Sequence, residues 1–310
     1  MIDSLPAIEA RQLHKSFAQT DALAPLDLVI PRGAIFALVG HNGAGKTTLI
    51  KLLLNILQPT SGNATVLGEP SATLNGAAFT RIGYVAENQE MPDWMTVREF
   101  MDYLQPFYPT WDEADLLDEL ELPRDRKLEH LSRGMRMKAA LASVLAFRPS
   151  LIVMDEPFSG LDPLVRDQLI ETLLDRISEE EGDAGTTILI SSHDLAEVES
   201  FATHVAFLHQ GRLLFAESMD TLTARFREVT VTLDGAGTTP PMRFPASWLM
   251  PESSGSVFRF VHSNAETEPL EEQVRELFPQ AGDIQAEPMT LRTIFLALVK
   301  SRQSQNRRRA

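Results

Sequence analysis

Two short stretches of the chain combine residue types that can do chemistry on a phosphorylated substrate. The first, Gly40-His41-Asn42-Gly43-Ala44-Gly45-Lys46-Thr47, follows the pattern G-x-x-x-x-G-K-[ST]. Its glycines let successive backbone N–H groups turn inward around phosphate oxygens. The helix that follows, from Thr48, points its positive dipole end at the same anion. Lys46 is expected to hold the β- and γ-phosphates of a nucleoside triphosphate, and Thr47 to ligate Mg²⁺. The second stretch is Asp155-Glu156, directly after the apolar run Leu151–Met154. Open α/β sheets bind their ligands at the carboxyl ends of strands, where these acids stand. Asp155 is expected to hold Mg²⁺ through water, and Glu156 to polarise an attacking water as general base. The chemistry implied is Mg²⁺-dependent hydrolysis of a nucleoside triphosphate.

The elements that must position these residues are legible in the pattern. Ala34–Val39 reads as a buried parallel strand leading into the glycine-rich turn, and Thr48–Leu57 has helical spacing. Residues 1–32 and 63–90 read as short strands and turns. From about 92 to 147 the spacing is helical, with a Thr96/Glu99 capping box, a helix over Asp112–Leu122, and a long helix from Ser132 to near Arg148. Strand Leu151–Met154, helix Pro163–Ser178, strand Thr187–Ile190 and helix Asp194–Phe201 follow. A hairpin over 205–215 turns at Gln210-Gly211. Strands alternating with helices predict a parallel α/β sheet with a helical insertion. Composition shifts after about residue 227. Strand-like runs Val229–Leu233 and Ser256–Val261, and helices Leu270–Leu277 and Thr290–Lys300, predict a separate small region. Residues 301–310 read as a frayed polar tail, with Arg307–Arg309 able to touch anionic lipid or simply remain solvated.

Composition narrows the partners. Lys and Arg number 28 against 43 Asp and Glu, a formal charge of −15 that disfavours non-specific binding to nucleic acid. The absence of cysteine excludes disulfides and thiolate metal sites. No apolar stretch reaches the ~18 residues of a spanning helix. Met1-Ile2-Asp3-Ser4 lacks the features of a signal peptide, so a membrane role is expected to come through a partner.

Further motifs carry a family resemblance. Leu131-Ser132-Arg133-Gly134-Met135 resembles the signature of ABC ATPases, usually written LSGGQ. Ser159-Gly160-Leu161-Asp162 resembles their D-loop, and His193 at the end of the next strand resembles their switch histidine. Phe17 stands where the family places an adenine-stacking aromatic. In this order, over residues 12–215, the chain is similar to ATP-binding subunits of ABC transporters. Phe107-Tyr108-Pro109-Thr110-Trp111-Asp112 adds a likeness to exporter-type, Ytr-like subunits that serve a separate permease.

The resemblance implies a P-loop NTPase core with an antiparallel β subdomain and an inserted helical subdomain. Residues 1–227 would form this nucleotide-binding domain, and 228–310 a C-terminal α+β accessory domain. It implies two such domains meeting head to tail, each ATP lying between one phosphate loop and the other signature. Ser132 and Gly134 would then face the partner's γ-phosphate, with Asp162 in the D-loop and Glu156 and His193 as the catalytic residues. Taken singly, Ser132 is also a plain helix N-cap, His193 a residue able to cap the next helix, and Phe17 a candidate core aromatic. Two departures stand out. The signature carries Arg133 and Met135 in place of a glycine and the glutamine. Where the family often reads Gly-Tyr-x-x-Gln, this chain reads Gly83-Tyr84-Val85-Ala86-Glu87, which makes Glu87 a Mg²⁺ ligand and leaves Gln89 as the alternative. Trp94, Met95, Phe107, Tyr108 and Trp111 suit either a permease interface or the insert's own core. The implied function is that of a Mg²⁺-dependent ATPase energising an integral membrane permease, in the direction of export. It would work as a dimer, homomeric or with a related subunit, at the cytoplasmic face of the membrane. The rival is a non-transport ABC ATPase acting in regulation, translation or DNA metabolism.

Overall fold

The computed structural model describes residues 5–18, 20–113, 115–178, 185–233 and 244–309, with side chains as far as 301. It divides into two compact units, Met1–Asp194 with Phe201–Ala216, and Leu195–Ser200 with Glu217–Ala310.

The first unit opens with β1 (Ile8–Phe17), β2 (Thr20–Ile30), β3 (Ile35–Val39) and α1 (Lys46–Leu53). Then come β4 (Ser61–Val66), β5 (Glu69–Pro70), α2 (Gly76–Phe79), β6 (Ile82–Ala86) and the insert helices α3 (Val97–Leu104), α4 (Leu116–Glu119) and α5 (Arg133–Leu145). It continues through β7 (Leu151–Asp155), α6 (Pro163–Ser178), β8 (Thr187–Ser192), β9 (His204–His209) and β10 (Arg212–Ser218). One sheet has the order β2-β1-β4-β5 with antiparallel pairs, and the other β10-β9-β3-β8-β7-β6.

In the six-stranded sheet, β9, β3, β8, β7 and β6 pair in parallel. Strands β7 and β8 are buried along their whole length. That is why their sequences run apolar without alternation: both faces are covered. Phe36, Leu38, Leu49, Ile50, Val153 and Leu189 share one core, each side chain contributing roughly 1.5–3 kcal/mol of burial. The register has a consequence for chemistry. Val39 pairs with Ser192, Asp155 with Ser191, and Ala86 with Asp155, so four strands end at one level. The residues that follow them are Gly40, His193, Glu156 and Glu87.

The insert departs from the sequence pattern in one place. The helix expected over Asp112–Leu122 is a single turn, Leu116–Glu119. Tertiary bonds hold its front: the Asp112 amide donates to the Ala146 carbonyl at 2.6 Å, and the Asp112 carboxylate pairs with Arg148. Its end is set by Glu121, at φ +53, and by Pro123, which lacks an amide hydrogen. The Thr96/Glu99 capping box is present, with both reciprocal bonds.

The second unit holds α7 (Leu195–Glu199), α8 (Met219–Arg225), β11 (Arg227–Leu233), β12 (Trp248–Ser254), β13 (Val257–His262), α9 (Leu270–Leu277), β14 (Ala281–Pro288) and α10 (Leu291–Arg309). Its antiparallel sheet has the order β12-β13-β11-β14. Both edge strands escaped the sequence pattern, because their later residues are exposed on both faces and β12 carries Pro251, which an edge tolerates. Helix α10 runs through residues expected to fray; the Arg307–Arg309 side chains lie outside the described residues. The core is aromatic: Trp248 stacks on Phe260 at 3.8 Å, and Phe258 meets Phe278 at 4.8 Å.

A polar knot closes this core. Glu268 accepts from Ser247 Oγ at 2.8 Å, Gln273 Nε2 at 3.1 Å and Asn264 Nδ2 at 3.2 Å. The fully buried His262 places Nε2 3.5 Å from Glu268. The bonds from Gln273, Ser247 and Asn264 hold the Glu268 carboxyl down to about 2, and burial pushes His262 below its ordinary value. Both depressed values favour folding at high pH. The His262 contribution is lost as pH falls below the ordinary 6.5, and the Glu268 contribution as it falls from 4.5 toward 2. In a Trp94→Phe/Trp111→Phe background, where Trp248 is the sole tryptophan, its fluorescence melt is expected at lower temperature at pH 5 than at pH 7.5. A His262→Phe substitution should flatten that difference above pH 5; equal melts at both pH values in the parent would contradict this account.

Candidate functional site

The glycine-rich loop is shaped by what surrounds it. Gly45 has φ +108, and a Cβ there would lie 2.7 Å from the Ala22 carbonyl oxygen. A Cβ on Gly40 would lie 2.3 Å from the Leu208 carbonyl oxygen, so the loop passes the neighbouring backbone too closely for any side chain. Helix α1 starts with no side chain capping its first-turn amides, which leaves those N–H groups for an anion.

Lys46 is buried at the start of α1. Its Nζ donates to the Gly40 carbonyl and, at 3.3 Å, to the His41 carbonyl, and forms an ion pair of 2.9 Å with Glu156 Oε1. The other Glu156 oxygen lies 2.7 Å from His193 Nδ1. One carboxylate thus joins the loop lysine to the histidine after β8.

Glu156 holds a strained backbone, φ +52, a region that costs a non-glycine residue about 1–3 kcal/mol. Its amide is anchored to Ser191, donating to Oγ at 2.9 Å and to the carbonyl at 3.2 Å. The Ser191 hydroxyl in turn donates to Asp155 Oδ1 at 2.6 Å. A single buried serine on β8 therefore fixes both acids of β7. Nothing in the sequence reading singled out Ser191; the pair of serines ending an apolar strand was the available signal.

A cleft of about 330 Å³ is lined by the loop and helix start from Asn42 to Thr48, with Glu87, Glu156, Ser159 and His193 opposite. Gly40 and His41 lie beneath it through their carbonyls, and Asp155 is buried behind Glu156. Between the two candidates in the loop after β6, Glu87 reaches the cleft; Gln89 turns back to accept the Ala86 amide at 3.2 Å.

Other expected residues stand outside this lining. Phe17 is exposed at the end of β1, with Lys15 Nζ 5.0 Å from its ring centre. Ser132 caps α5, its Oγ accepting from the Met135 amide at 3.2 Å, which leaves its own O–H free to donate. Gly134 faces Val165, whose Cγ1 would be 3.0 Å from an added Cβ. Asp162 caps α6, accepting from the Leu164 amide at 2.9 Å. On the insert, Tyr108 stacks on Phe147 at 3.9 Å and on Trp111 at 5.8 Å, a packing role. Trp94 and Phe107 are exposed, at 71% and 61%.

The donor set fits Mg²⁺ with a triphosphate. Among the described residues no group of three or more His, Asp or Glu could hold a metal alone. Mg²⁺ commonly takes one or two protein oxygens and completes its shell with waters and phosphates, and Thr47 and Glu87 in the cleft, with Asp155 behind it, supply that kind of partial set.

No helix among the described residues is long and apolar enough to cross a membrane. A family model described as ABC transporter matches residues 23–159. An uncharacterized ABC transporter ATP-binding protein of Synechocystis sp. is 34% identical over 227 residues, 70% of this chain and 62% of that protein. The ABC transporter ATP-binding protein YtrB of Bacillus subtilis is 30% identical over 235 residues, 73% of this chain and 77% of that protein. The Nod factor export ATP-binding protein I of Cupriavidus pinatubonensis is 32% identical over 220 residues, 68% and 66% of the two chains. A solved ATP-binding subunit of an ABC transporter superposes with a TM-score of 0.63 at 27% identity, over 70% of this chain and 91% of its own.

Ser191→Ala should strand a buried acceptor on Asp155 and loosen Glu156, costing about 1–3 kcal/mol. Urea unfolding is expected to shift to lower concentration by that amount, and ATP turnover to fall. Unchanged unfolding and unchanged turnover would mean that the serine bridge holds nothing.

Proposed function

The chain belongs to the ABC transporter ATP-binding family, and from that premise we propose that it is an ATP-hydrolysing subunit energising a separate membrane permease, in the direction of export. The observation that carries this reading is the contact chain Lys46–Glu156–His193 at the mouth of the phosphate loop. It joins a phosphate-binding cation, a carboxylate and an imidazole at one cleft.

In the proposed mechanism, the loop amides and Lys46 bind the phosphates of ATP, with Phe17 stacking on the adenine. Thr47, Asp155 and Glu87 would hold Mg²⁺, which would supply neutralisation of charge on the transferring phosphate. Glu156 orients the attacking water and accepts its proton. His193 holds the second Glu156 oxygen through Nδ1, and its Nε2 would then serve the γ-phosphate. ATP hydrolysis to ADP and phosphate then removes the γ-phosphate that these groups share.

Ser132 and Gly134 stand outside the chain's own cleft. That supports the head-to-tail dimer, in which the O–H of Ser132, the Gly134 amide and the positive end of α5 serve the ATP of a second subunit, with Asp162 beside the junction. Residues 1–227 would carry this activity and 228–310 an accessory role. The exposed Trp94 and Phe107 suit a permease contact, which would keep the subunit at the cytoplasmic face of the membrane. The relatives named for transport and export support that direction.

Glu156→Gln should lower turnover by about 10²–10⁴-fold while leaving ATP binding intact. Light scattering should then find this variant dimeric with ATP and monomeric without it; a monomer under both conditions would sink the homodimer. Trp94→Ala should reduce recovery of a multi-spanning protein in pull-downs from solubilised membranes while basal ATPase survives. Recovery of ribosomal or DNA-repair proteins in place of any membrane protein would move the non-transport reading ahead.

A further inference from the structure

Both departures from the family's motif pattern meet in space. Glu87, directly after β6, and Arg133, the first residue of α5, are 46 positions apart, yet Arg133 Nη2 lies 3.3 Å from Glu87 Oε1. The same guanidinium lies over Gly160: a Cβ there would be 3.2 Å from Nη1. An arginine in the signature thus meets a carboxylate of the nucleotide cleft and covers the side-chain position of Gly160, two residues before Asp162.

The cleft's charges give this contact a purpose. Glu87, Glu156 and the buried Asp155 crowd a site whose substrate is itself an anion. Lys46 is engaged with Glu156, and Asp155 is tied to Ser191. Before Mg²⁺ is bound, Glu87 therefore adds a negative charge beside the phosphates, and Arg133 is the protein cation in contact with it.

Resting on the functional reading above, we propose that Arg133 and Glu87 are a matched pair of positioning residues. Arg133 neutralises Glu87 so that the carboxylate can stand beside the phosphates. In return, Glu87 sets the position of Arg133 and of its neighbours Ser132 and Gly134. A change in what Glu87 meets in one cleft is thereby passed to the α5 start that faces the other subunit's nucleotide. The two departures are then compensating.

The pair is half exposed, with 41% of Glu87 and 51% of Arg133 accessible, so its effect is modest and screened by salt. The test is a double-mutant cycle in the full chain, reading ATP affinity by isothermal titration and turnover in parallel. Arg133→Gln alone should weaken ATP binding about three- to ten-fold, because it leaves Glu87 unanswered beside the phosphates. Made in a Glu87→Gln background, the same Arg133→Gln change should alter affinity by less than about two-fold relative to that background, and Arg133→Lys, which keeps the charge, should stay within about two-fold of the parent. The Arg133→Gln defect should also shrink at high salt. A packing role for Arg133 would instead give an Arg133→Gln defect of the same size in the Glu87→Gln background, unchanged by salt. Additive effects in the cycle overturn the proposal while leaving the ATPase assignment intact. Failure of the parent chain to bind ATP overturns that assignment, and the pairing's role falls with it.

Discussion

The site depends on one constraint: four parallel strands must end at the same level. Backbone hydrogen bonds fix that level, since Val39, Ser192, Ser191, Asp155 and Ala86 are set against one another across β3, β8, β7 and β6. A one-residue slip in any pair would turn its side chains to the opposite face and withdraw its terminal residue from the edge. Complete burial of β7 and β8 opposes such a slip, because it would also misplace their apolar side chains in a close-packed core.

On that edge the chain concentrates opposing charges. Lys46 is buried and needs acceptors, which the Gly40 and His41 carbonyls and Glu156 provide. Glu156 is held in a left-handed backbone by Ser191, which also satisfies Asp155. Strain at Glu156 and desolvation at Lys46 and Asp155 are thus offset by a few short polar contacts within one strand end. Under the proposed function, a bound phosphate would compete with Glu156 for Lys46, and a bound cation with Ser191 for Asp155.

The two units solve their packing differently. The first buries long apolar strands between helices, and its insert adds exposed aromatics at Trp94 and Phe107. The second builds its core from stacked rings and closes it with the His262–Glu268 group. Acid sensitivity follows in the second unit from chemistry that has no counterpart in its apolar packing.

The sequence by itself determined much of this. Gly40–Thr47 and Asp155-Glu156 were legible because backbone amides around phosphate and acids at strand ends demand particular residue types at fixed spacing. The capping box at Thr96/Glu99 and helices α6 and α9 were legible for the same reason: their signals are local. The edge strands β12 and β14 were not, since beyond their first residues both faces are exposed and mostly polar, which leaves no apolar alternation to read. The shortened α4 was not, since Ala146 and Arg148 claim Asp112 from a distance in sequence. Only the tertiary structure decided that Ser191 fixes two acids, that Glu87 rather than Gln89 reaches the cleft, and that Arg133 answers Glu87. Those contacts join residues up to 46 positions apart, and their partners are chosen by strand register and helix packing, which no local run of residues encodes.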